Sequence, residues 1–128
     1  MKVRILRCNK CGQIVTVVKD TNLPVMCCMA DMEELVANKE DATVEKHVPK
    51  VTCNGNCVEV QIGEELHPAE QQHYIVWVLL VTDKGTQRKC IDIGKTPKVS
   101  FYIAEDEKVE AVYSYCNIHG LWCNDKCN

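Results

Sequence analysis

The sequence predicts a mainly β chain, a small metal-knuckle domain followed by an immunoglobulin-like β-sandwich. Three observations predict it. Of the ten cysteines, Cys8, Cys11, Cys27 and Cys28 fall early in the chain, at spacings that suit a single metal ion. From about residue 50 onward, short apolar runs rich in β-branched residues are separated by Gly, Asn, Asp and Pro. Between those runs there is little apolar spacing of helical period.

Taken in order, residues 1–36 hold the four cysteines, a short strand predicted over Gln13 to Val18 and a turn at Asn22-Leu23-Pro24. Aromatic residues make up only 5% of the chain, and this first segment offers few large side chains, so a bound metal is expected to hold it together. Asn38 to Thr43 is polar without apolar periodicity and reads as a linker, which puts a second domain at residues 37–128. There, Lys50 to Cys53 and Val58 to Ile62 flank the hairpin turn Asn54-Gly55-Asn56. Tyr74 to Thr82 is a continuous apolar run, the pattern of a central strand buried on both faces. After a turn at Asp83-Lys84-Gly85, a strand is predicted over Gln87 to Ile93, then a break at Gly94 to Pro97. Val99, Phe101 and Ile103 alternate with other residues, as do Val109, Ala111, Tyr113 and Tyr115, giving two further strands. Short strands joined by turns suggest the immunoglobulin-like arrangement.

A net charge of -3 without a basic run argues against nucleic acid as a partner. The longest strongly apolar stretch, Tyr74 to Val81, is far shorter than the roughly 20 residues of a membrane helix. The start of the chain lacks the apolar core of an export signal, so a soluble, cytoplasmic protein is expected. In that reducing compartment cysteines serve as metal ligands more readily than as disulfides.

Cys8-x-x-Cys11 sets two thiolates on one tight knuckle and Cys27-Cys28 adds two more, together a tetrahedral four-sulfur cage. Zinc and iron both accept four thiolates, and the spacing does not choose between them. The chain has only four histidines: His47, His67, His73 and His119, the last in Cys116-x-x-His119. Singly each is an ordinary histidine. Jointly they offer four imidazoles and a thiolate from loops at the ends of a sandwich, where functional residues are commonly displayed. Five donors overfill a tetrahedral zinc site but suit a redox iron with one octahedral position left for a small ligand.

The fragments Glu45-Lys46-His47-Val48-Pro49, Glu65-Leu66-His67-Pro68, Gln72-His73-Tyr74-Ile75-Val76-Trp77 and Tyr115-Cys116-Asn117-Ile118-His119-Gly120-Leu121-Trp122 resemble the motifs of superoxide reductases. Cys8-Asn9-Lys10-Cys11-Gly12 with Cys27-Cys28 resembles the desulforedoxin module, although Met29-Ala30-Asp31-Met32 stands where that module commonly has Gly and Pro. Nearly the whole chain is thus similar to the desulfoferrodoxins, the two-iron superoxide reductases. The resemblance implies two mononuclear irons: one on Cys8, Cys11, Cys27 and Cys28, and a catalytic one on equatorial His47, His67, His73 and His119 with axial Cys116. It further implies superoxide as substrate, a rubredoxin-like electron donor and a homodimer.

Charge supports an anionic substrate. Iron with four neutral imidazoles and one thiolate keeps a net positive charge, whereas iron with four thiolates is negative and repels superoxide. Lys46 would steer the anion by local potential, its plainer reading being a solvated lysine. Glu45 resembles the carboxylate that caps the ferric iron in this family, its plainer reading being a surface ion pair. An electron carrier of rubredoxin type, a zinc-stapled interaction module and superoxide dismutation are the competing functions. Cys53, Cys57, Cys90, Cys123 and Cys127 belong to neither site and are expected to be free thiols, with Cys90 buried in a strand.

Overall fold

A computed structural model describes residues 2–38, 47–63 and 72–125, and the chain divides into two compact units, Lys2–Val36 and the part from Ala37 onward. The predicted fold class is what the structure shows. In the first unit, strands β1 (Ile5–Arg7), β2 (Ile14–Thr16) and β5 (Glu33–Glu34) make a sheet in the order β2-β1-β5, and β3 (Met26–Cys27) pairs with β4 (Ala30–Asp31). Ile5, Leu6 and Cys8 are its buried apolar side chains. With so small a core, Arg4 ties the pieces from outside, through its Nε to Glu34 at 3.0 Å and its Nη1 to Asp20 at 2.8 Å. Bonds of this exposed kind contribute about 0–1 kcal/mol each.

The second unit is two facing antiparallel sheets. Strands β6 (Pro49–Asn54), β7 (Cys57–Ile62) and β10 (Lys98–Tyr102) form one in the order β10-β7-β6. Strands β8 (Ile75–Thr82), β9 (Thr86–Cys90), β11 (Val109–Cys116) and β12 (Gly120–Asn124) form the other in the order β12-β11-β8-β9. Val51, Val58, Val60 and Ile62 from the first sheet meet Ile75, Val78, Leu80, Val112 and Cys116 from the second, with Phe101 and Ile91 completing the core. As expected of a central strand, β8 is buried along all of its length but Val76. Among the described residues no helix is long and apolar enough to cross a membrane.

Several sequence expectations need correction. The strand expected over Gln87 to Ile93 ends at Cys90, and Cys90 is exposed, because β9 is the edge of its sheet. On β11 the core face is Val112, Ser114 and Cys116, one residue out of phase with Ala111, Tyr113 and Tyr115 of the expected apolar series. Ala111, Tyr113 and Tyr115 take the other face, where Tyr115 stacks on Trp77 at 5.7 Å between ring centres, while Val109, beyond a second register shift, packs against the core. Cys53 is disulfide-bonded, against the expectation of a free thiol. Cys57 is free, and the hairpin register explains why the two are not joined. Cys53 lies opposite Val58, and Cys57 opposite Asn54, so the two cysteines point to opposite faces. Cys123 is a free, half-buried thiol, as expected, while Cys127 lies outside the described residues.

The β8–β11 ladder carries a register shift at its end. Tyr115 pairs with Trp77, yet the next residue, Cys116, pairs with Ile75. Val76 is therefore an extra residue, a bulge in the last rungs of the ladder.

Candidate metal centres

Backbone geometry shapes the four-cysteine cluster. At its first corner, Gly12 adopts φ 83° and its N–H donates to the Cys8 carbonyl at 2.9 Å, while the Cys11 N–H points at the Cys8 Sγ at 3.5 Å. At the second, Cys28 and Met29 have φ 53° and 64°, the pair of left-handed residues that a tight two-residue hairpin requires. Neighbouring side chains on a straight strand diverge. Cys28 escapes that rule by leaving the extended conformation, which brings its sulfur to 3.9 Å from that of Cys27. The Met29 side chain is left exposed.

The four sulfurs lie within 4.8 Å of one another, with Cys11 and Cys27 at 3.6 Å. Sulfurs about 2.3 Å from a tetrahedral metal are about 3.8 Å apart, so the cluster has the size of a metal cage. Their protons tell the same story. The Cys8 thiol is pulled down to about 6 by the backbone amides of Cys11 and Lys10, and Cys27, donating to its sulfur neighbours Cys8 and Cys11, is pushed up to about 12. Four thiolates in this space require a cation.

The second cluster assembles at one end of the sandwich core. His47, His73, Cys116 and His119 present donor atoms within 4.8 Å of one another. Nδ1 of His119 and Nε2 of His47 are 2.9 Å apart, and Cys116 Sγ is 3.9 Å from the same Nδ1. Two nitrogens about 2.1 Å from one ion and at right angles are about 3.0 Å apart, so this donor set also fits a metal. The His119 ring stands edge-on to those of His47 and His73, at 4.7 and 4.9 Å between centres.

Each donor is held by its element. Cys116 ends β11, fully buried in the core. Burial pushes its thiol up, opposed by the backbone amides of His119 and Ile118, so a cation is needed to keep the sulfur ionised there. His47 is 2% exposed. Its ring stacks on Trp122 at 4.9 Å, and its carbonyl accepts the Ser114 hydroxyl at 3.1 Å. His119 occupies the turn between β11 and β12, where the Trp122 indole N–H donates to its carbonyl at 3.1 Å. His119 is half-buried and its neighbours Asn117 and Ile118 are exposed, which places the cluster beside solvent.

Of the expected ligands, Cys8, Cys11, Cys27 and Cys28 come together, as do His47, His73, Cys116 and His119. His67, Glu45 and Lys46 lie outside the described residues. The supporting roles of Ser114 and Trp122 were missed from sequence. Ser114 left one trace, a hydroxyl residue on the inward face of an otherwise apolar strand.

The chain is similar to known proteins. Residues 39–125 match the desulfoferrodoxin family profile. A desulfoferrodoxin homolog of Methanothermobacter thermautotrophicus is 40% identical over 121 residues, covering 93% of this chain and 95% of that one. The crystal structure of the superoxide reductase from Treponema pallidum superposes with a TM-score of 0.82 at 30% identity, covering 97% of this chain and 99% of that one. The single-iron superoxide reductase of Giardia intestinalis matches with a TM-score of 0.54 at 36% identity, covering 62% of this chain and 95% of that one. With a profile match over most of the chain and a relative of this identity along nearly all of it, the chain belongs to the desulfoferrodoxin family.

Proposed function

We propose that the chain is a superoxide reductase, with residues 37–128 as its catalytic domain and His47, His67, His73, His119 and Cys116 as ligands of the catalytic iron. The observation that carries this reading is the convergence of three imidazoles and one buried thiolate, drawn from separate segments, beside an exposed turn. Iron in that site would give one electron to superoxide, which leaves as hydrogen peroxide after taking up two protons, and an outside reductant would restore the electron. The chain's own groups prepare for that chemistry. The amides of Ile118 and His119 favour the ionised form of Cys116, and burial among apolar side chains keeps competing water from the sulfur. Neutral imidazoles leave the site a positive charge to draw in the anion. Lys46 would add to that potential, and Glu45 would cap the ferric state. Residues 1–36 would form the second iron domain on Cys8, Cys11, Cys27 and Cys28, relaying or storing an electron.

Peroxide yield separates the proposal from dismutation. Iron-loaded protein with excess reductant should release one peroxide per superoxide consumed, and half that yield would mean dismutation. Cys116→Ser should abolish the ferric-thiolate absorption of the site and the reductase activity together; retention of both would overturn the assignment.

A further inference from the structure

The β8–β11 ladder ends where Cys116 pairs with Ile75, and His73 lies two residues beyond that end. Beyond a single bridge pair of its own, its backbone needs further anchoring. Asn117, directly after Cys116, fills that role. Its backbone N–H donates to the Tyr74 carbonyl at 3.2 Å. Its side-chain Oδ1 accepts the Tyr74 N–H at 2.9 Å, and its Nδ2 donates to the Gln72 carbonyl at 2.9 Å. A carboxamide has the donor and acceptor of a peptide unit, so here it serves as a spare rung of the ladder, bracketing His73 from both neighbours.

We propose that Asn117 is a positioning residue for the histidine–cysteine centre, setting His73 against Cys116 and His119 through the backbone of residues 72–74. It rests on the proposed iron site and deepens it. Because Asn117 is exposed, its bonds add little to the fold as a whole. Their effect is local, holding one ligand's strand to the turn that carries two others. Partners that orient a metal's ligands typically affect metal affinity by about 10–100-fold.

The test uses the full chain loaded with iron, in wild type, Asn117→Ala and Asn117→Asp. Aspartate keeps the acceptor for the Tyr74 N–H but loses the donor to Gln72. Two quantities are read: iron retention at the histidine–cysteine centre against a ferrous chelator, followed by its ferric EPR signal, and thermal unfolding of the metal-free protein. Expected is an iron loss about 10–100-fold faster in Asn117→Ala, an intermediate rate in Asn117→Asp and an altered ferric signal, with iron on the four cysteines unchanged. Wild-type retention and signal in both variants would overturn the proposal. So would a lowered unfolding temperature of the metal-free protein with unaltered iron retention, which would mark a merely structural role. If Asn117→Ala does not fold, Asn117→Asp alone decides between these outcomes. A wild-type protein without a ferric-thiolate signal at this centre would instead refute the iron assignment itself.

Discussion

Ser114 is fully buried and its hydroxyl donates to the carbonyl of His47. Replacing it with alanine leaves that carbonyl buried without this donor, a loss of about 1–3 kcal/mol. Urea unfolding of Ser114→Ala should show the loss, while Ser114→Thr, which keeps a hydroxyl, should recover part of it. Little of this was legible in the sequence. Cys116, His119, His47 and His73 stood out because their residue types advertise metal chemistry and their flanking motifs resemble a known family. Serine and asparagine advertise nothing. Their roles arise only where another segment arrives beside the strand or its end, and no local pattern encodes that meeting.

At the scale of elements, the hairpin signals Asn54-Gly55-Asn56 and Asp83-Lys84-Gly85 predicted β6–β7 and β8–β9 well, because a tight turn leaves few conformations open. The phase of β11 was misread, since aromatic residues on its odd positions mimic a core face while packing on the opposite side of the sheet. The connection from β10 to β11 is closed by Glu107, which accepts the Ala104 N–H at 3.0 Å and the Thr82 hydroxyl. Those two bonds hold its carboxyl below the ordinary value of 4.5, the Thr82 bond most strongly. A depressed folded pKa gives stability that is complete above the unfolded value and lost as pH falls through the folded one. Wild type should therefore lose more stability than Glu107→Gln as pH drops below about 4.5, measured as the pH dependence of the unfolding midpoint.

For the whole molecule, the division into a knuckle and a sandwich was readable because cysteine spacing and strand alternation each mark a different way of stabilising a small unit. The surplus cysteines were not, since partner choice among them depends on which faces they occupy. A disulfide at Cys53 departs from the reasoning that a reducing compartment would leave every one of them free. Alkylation of unfolded, metal-stripped protein should find two more thiols after reduction than before it. Cys53→Ser should lower stability by about 2–4 kcal/mol, the usual contribution of a native disulfide.

The extra residue Val76 sets the parity of the strand beyond it. Val78 and Leu80 face the core as even-numbered residues, whereas Ile75 does so as an odd one, and His73 inherits the odd parity. Shortening the chain by this one valine would restore regular alternation and leave Ile75 and His73 on the inward face. The deletion variant is expected to retain as much iron per chain as wild type, which metal analysis of the two proteins side by side would check.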